Sequence, residues 1–248
     1  MRRHAHPELR SLVDIDVRTP VPTDDECRRY YENNRARFRA PTIAEALTGE
    51  GSVEDTAKTV QDAWRAYHKG DFATAVELGV AAGLLGYNAA SKAANIYATY
   101  LEKDEKKQID IFLESMKRGE KLQAAAPGMA NAHYFYAQAA GRYSQGISIA
   151  KALAEGYAGK IKKALDTALK LEPKHADAHI ALGAYHAEII NKVGGLVGGL
   201  TYGADKKAGA NHYQAALKLN PDSAIARIEC ANGLVMMFGK EKLKEATK

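Results

Sequence analysis

Two imidazoles one helical turn apart can hold a zinc ion. The stretch ALKLEPKHADAHIALGAYHAE, residues 168 to 188, offers His175 and His179 at that spacing, with His186 one further step along. Other chemistries leave fainter traces. Cys27 and Cys230 are the only cysteines and stand outside any C-x-x-C motif, so neither a disulfide framework nor a thiolate metal site is expected. NKVGGLVGGLTYGADKK, residues 191 to 207, is glycine-dense enough to cradle phosphate. It lacks the Gly-Lys-Ser/Thr of a phosphate loop and follows no strand, so it reads as a flexible or tightly packed loop between helices. No Ser-His-Asp, Cys-His or paired-carboxylate arrangement stands out. The chain is therefore expected to be no enzyme and to need no cofactor.

The elements that would carry these residues are helical throughout. From residue 53 onward the apolar spacing is that of helices, rich in Ala, Leu, Lys and Glu, without β-branched alternation. Three phrases repeat: PGMANAHYFYAQAAG from Pro127, PKHADAHIALGAYHA from Pro173 and PDSAIARIECANGLV from Pro221. ALKLEP and ALKLNP precede the last two prolines. Proline ends one helix and sits in the turn before the next, so each phrase marks an αα-hairpin junction, and such hairpins bury their faces only by stacking. The repeat also bears on the histidines. His179 aligns with His133 and Arg227, a position filled each time by a long polar side chain beside the preceding turn, while His175 aligns with Met129 and Ser223 as a turn residue. A structural role is preferred for both over metal binding.

These repeats resemble the tetratricopeptide (TPR) family. Leu182 and Gly183, then Gly209, Tyr213, Ala216 and Pro221, match its small–large–small pattern; Leu165, Ala168 and Pro173 do so one unit earlier, and Gly70, Phe72 and Ala75 mark an opening unit. The resemblance spans about residues 55 to 245 and implies an all-α, right-handed solenoid of antiparallel helical hairpins. Two departures accompany it. The units exceed the usual period of about 34 residues, with the extra length between their helices at about 144 to 157 and 190 to 206, and the family's early Trp is replaced by His133, His179 and Arg227. Long insertions together with P-x-x-A-[ND]-A-H are similar to the T-component of tripartite (TRAP) solute transporters and, more distantly, to regulators of microtubule dynamics.

The first 40 residues hold nine Arg and no Lys, whereas residues 41 to 248 hold four Arg and 22 Lys. This switch suggests a seam, giving an N-terminal extension over 1–41, a linker over 42–54 and a repeat domain over 55–248. Thr23 and Glu26 form a capping box behind Pro20 and Pro22, which predicts a helix over about 24–38. The string from Arg18 to Pro41 resembles the segment ahead of parvulin-type peptidyl-prolyl isomerase domains, but no isomerase domain follows, so that activity is not inherited.

A net charge of +5 with basic and acidic residues intermixed gives little reason to expect nucleic acid. No 18-residue apolar run suggests a membrane span, and no N-terminal signal is visible, so the chain as written is expected in the cytoplasm; a start further upstream would make it periplasmic. The expected function is that of a scaffold binding a partner protein or extended peptide on the concave face of the solenoid. Asn131, Tyr134, Gln138 and Arg142 fall on one side of one helix at i, i+3, i+7 and i+11, with Glu188 and Asn232 comparable in later units. The alternative is an accessory component of solute transport binding a small ligand.

Overall fold

The computed structural model describes residues 52–239, and over them the chain is all-α. The expected helix at 24–38, the seam near residue 41 and the segment 240–248 lie outside the described residues. Within them run eleven α-helices: α1 (Val53–His68), α2 (Phe72–Ala81), α3 (Tyr87–Tyr100), α4 (Glu105–Ala125), α5 (Ala130–Gly146), α6 (Ile149–Ala154), α7 (Tyr157–Leu171), α8 (Ala176–Val193), α9 (Gly195–Tyr202), α10 (Lys206–Leu219) and α11 (Ala224–Phe238). A 3₁₀ turn, Gly83–Gly86, links α2 to α3.

Local sequence sets most starts. Ser52, Asp71, Asp104, Ser148, Asp205 and Ser223 each accept, through a side-chain oxygen, a hydrogen bond from a backbone N–H of the first turn, which satisfies a donor the helix itself cannot. The prolines at 127, 173 and 221 fall in the turns before α5, α8 and α11. Each turn is closed in the same way: the N–H of Met129, His175 and Ser223 donates to the carbonyl three residues back, on Ala126, Glu172 and Asn220.

The helices pack as successive hairpins: α1 on α2, α3 on α4, α5 on α7, α8 on α10, with α11 as a further first helix against α8 and α10. First helices also meet one another, α3 with α5, α5 with α8 and α8 with α11. This is a TPR-like stack. One core cluster runs from Ala98 and Phe112 through Tyr134–Ala140 to Leu165 and Leu182; a second, around Tyr213, joins α8, α10 and α11. Close approach there depends on glycine. The ring of Tyr213 lies against Gly183 and Gly233, where an added Cβ would sit 2.8 Å and 2.3 Å from ring or hydroxyl atoms.

The two insertions are helical rather than loops. Ser148 caps α6, and the glycine-dense stretch forms α9, bounded by Gly194 and Gly203 at positive φ. The expectation of a loop at 191–207 is thereby corrected. Glycine weakens a helix interior by about 1 kcal/mol each, but here the carbonyls of the last turn are satisfied by Gly203 and Ala204, which donate to Gly199 and Gly198 as in a Schellman closure. The second hairpin, α3 with α4, carries none of the repeated phrases; only packing reveals it as a unit.

Candidate functional site: the row along the first helices

Residues expected at the site lie on α5, α8 and α11, and the structure first uses several of them as struts between helices. The Asn131 side-chain oxygen on α5 accepts from His175 Nε2 at 2.8 Å, while His175 Nδ1 accepts from the N–H of Ala178. With a donor on Nε2 and an acceptor on Nδ1, His175 is a neutral imidazole that caps α8. Both ring nitrogens are engaged, which leaves no lone pair for zinc.

Tyr134 is only 4% exposed and packs against His175 with ring centroids 4.8 Å apart and planes tilted by 45°. It is packed in the core beneath the row rather than set on the exposed surface. The reason is that α3 and α8 converge over it. Beside it Lys92 on α3 reaches Asp177 at the start of α8, at 3.6 Å. Burial works against the Lys92 charge, but Tyr134, Asp177 and Tyr67 hold the ammonium above its ordinary range. Gln138 accepts from the side-chain amide of Asn95 on α3 at 3.1 Å. The other amide atom of Asn95, its oxygen, is buried and has no hydrogen-bond partner among the described residues.

Toward the other end of α5, Arg142 donates to Glu229 on α11 at 2.9 Å, across 87 residues of sequence, and to Gln145 at 3.2 Å. Gln145 in turn donates to Glu188 on α8, which also meets Lys192 at 3.3 Å. Asn131, Gln138, Arg142 and Glu188 are thus brought into one polar row spanning α3, α5, α8 and α11. Asn232 is exposed on α11 and stands apart from these bonds. On α11 the register of the row carries Ile225, Ile228, Asn232 and Met236, and the three apolar members are exposed, Ile228 by 59%.

Sequence reasoning missed Lys92, Asn95, Asp177, Gln145 and Glu229. A signal existed for Asp177, which takes the place of Asn131 in the next repeat, eleven residues before Glu188 just as Asn131 precedes Arg142. None existed for Lys92, whose hairpin lacks the phrase.

His179 has a different role. Its Nε2 faces the Pro173 carbonyl at 3.1 Å, as His133 Nε2 faces that of Pro127 at 2.8 Å and Arg227 donates to that of Pro221. The aligned side chains therefore tie each helix back to its turn, where the TPR family places Trp. A donor on Nε2 leaves His179 Nδ1 as acceptor for His212 Nδ1–H on α10, 2.9 Å away. His186 stacks on His212 at 5.9 Å and accepts from the N–H of Asp205. Burial, then the neighbouring His179 and His186, push His212 down to about 4. Among the described residues no group of three or more His, Cys, Asp or Glu is arranged to hold a metal ion.

Comparison with known proteins agrees with this architecture. The family model for Regulator of microtubule dynamics protein 1-3 matches residues 86–192, from the start of α3 to near the end of α8. A solved structure, described as a thermophilic TPR protein in Thermus thermophilus, is similar with a TM-score of 0.57 at 15% identity, covering 77% of this chain and 87% of that one. No curated protein sequence matches significantly. The structural likeness supports the TPR-like fold, and among the described residues no helix is long and apolar enough to cross a membrane.

Proposed function

We propose that this chain is a non-catalytic interaction scaffold that grips an extended segment of a partner protein along the concave face formed by its first helices. The observation that carries this reading is the exposed apolar register of α11, Ile225, Ile228 and Met236, continuing a row that on α5 and α8 is polar and charged. A partner segment fitting that row places apolar side chains over α11 and polar or charged ones over Arg142, Gln145 and Glu188. Stacked helical hairpins commonly use this face for binding, with a few apolar anchors supplying most of the energy. The match to the microtubule-dynamics family covers α3 to α8, so a protein of the cytoskeleton is one partner class to test first.

The test is quantitative capture. The full chain on a matrix, with crosslinking and mass spectrometry, yields a partner whose crosslinks concentrate on α5, α8 and α11. Ile228→Asp lowers capture of that partner at least tenfold with an unchanged circular dichroism spectrum. Crosslinks spread over α4 and α7, or capture indifferent to Ile228→Asp, would refute the reading.

A further inference from the structure

The largest exposed aliphatic side chains lie away from the row. On α9, Leu196 is 77% exposed, Val197 50% and Leu200 83%, while Gly198 alone of that helix is buried. In a stack of antiparallel hairpins every connection from a first to a second helix falls at one edge. That edge holds α9, between α8 and α10; Ile149 of α6, between α5 and α7; and Tyr100 with Leu101, between α3 and α4. All six apolar residues are exposed.

Lysine outnumbers carboxylate around the two inserted helices. Residues 146–163 carry Lys151, Lys160, Lys162 and Lys163 against Glu155, and residues 191–207 carry Lys192, Lys206 and Lys207 against Asp205. Lys151 meets Glu155, Lys162 meets Asp166 and Lys192 meets Glu188, so the excess rests on Lys160, Lys163, Lys206 and Lys207. An open groove between α7 and α9 is lined by Lys162, Lys163 and Lys170 together with Tyr202 and with Asp166, which pairs with Lys162 at 2.7 Å. From this juxtaposition we infer that the edge bearing α6 and α9 docks on an anionic lipid bilayer, with Leu196, Val197 and Leu200 inserted among the acyl chains and the lysines set against the headgroups. Aliphatic side chains on a short helix with glycines between them suit an apolar medium, and the lysine excess supplies attraction to a negative surface. Nucleic acid would use the lysines but not the leucines.

The test uses the full chain and sedimenting vesicles of phosphatidylcholine alone or with phosphatidylserine at roughly a third of the lipid, a surface negative enough to attract a lysine cluster. The chain is expected to sediment with the anionic vesicles at least tenfold more strongly than with the neutral ones, and less at high salt. The double variant Leu196→Glu, Leu200→Glu loses this at least tenfold, and Lys206→Glu, Lys207→Glu does likewise. Because these side chains are exposed, a spectrum and melting curve equal to wild type confirm that both variants fold. As a second measure, Leu200→Trp gives fluorescence that shifts to the blue on anionic vesicles only. A chain that stays in solution with phosphatidylserine vesicles, or that binds them equally well without Leu196 and Leu200, overturns the inference. Ile228→Asp leaves vesicle binding intact, so failure here and failure of the partner-binding reading are separable.

Discussion

At the scale of single residues, two contacts set expectations. The ring of Tyr213 fills the space between Gly183 and Gly233, so Gly233→Ala forces either the ring or α11 to move. Overpacking of this kind costs about 1–3 kcal/mol, and a lowered midpoint in urea with unchanged slope would record it. The His179–His212 bond joins the Nδ1 atoms of the two rings at 2.9 Å, the His212 Nδ1–H donating. His212 in the folded chain titrates near 4, below the ordinary 6.5, so between those values the unfolded chain binds more protons than the folded one. Stability therefore falls as the pH drops from 6.5 to 4. The loss attributable to His212 is about 2 kcal/mol once partial exposure is allowed for, and His212→Gln flattens that part of the pH–stability curve.

Among the elements, α9 stands out because it buries almost nothing of its own. Replacing Gly195–Tyr202 with a short Gly-Ser turn removes the Tyr185 hydroxyl's bond to the Tyr202 carbonyl, worth about 1 kcal/mol. The melting temperature is expected to fall by only a few degrees, since α8 and α10 retain their contact. A collapse of the fold would instead give α9 a structural purpose. Arg142 and Glu229 join α5 to α11 directly, and their partly buried pair is worth about 1 kcal/mol. Arg142→Glu is expected to destabilise by that order, and Glu229→Arg to restore it in the double variant.

For the stack as a whole, cooperativity is local, because each hairpin touches mainly its neighbours. The larger core cluster draws on α3, α4, α5, α7 and α8, whereas α1 and α2 share a small one around Ala75. Native-state hydrogen exchange is thus expected to be slowest in α5, α7 and α8 and fastest in α1 and α2.

What the sequence determined by itself is the local part: helix periods, the prolines at 127, 173 and 221, and the small residues such as Gly183, Gly209 and Ala216 that let hairpins pack closely. These are legible because capping, turn closure and amphipathic spacing act over a few residues. The recurring position of His133, His179 and Arg227 was legible for the same reason, its partner carbonyl lying six residues away. Tertiary structure alone decided that Tyr134 is sealed beneath α3 and α8, that Lys92 meets Asp177, and that Arg142 reaches Glu229. It also decided that the leucines of α9 face outward. Each of these depends on which helix lies across from which, and that is fixed by the summed packing of whole faces rather than by any short stretch of the chain.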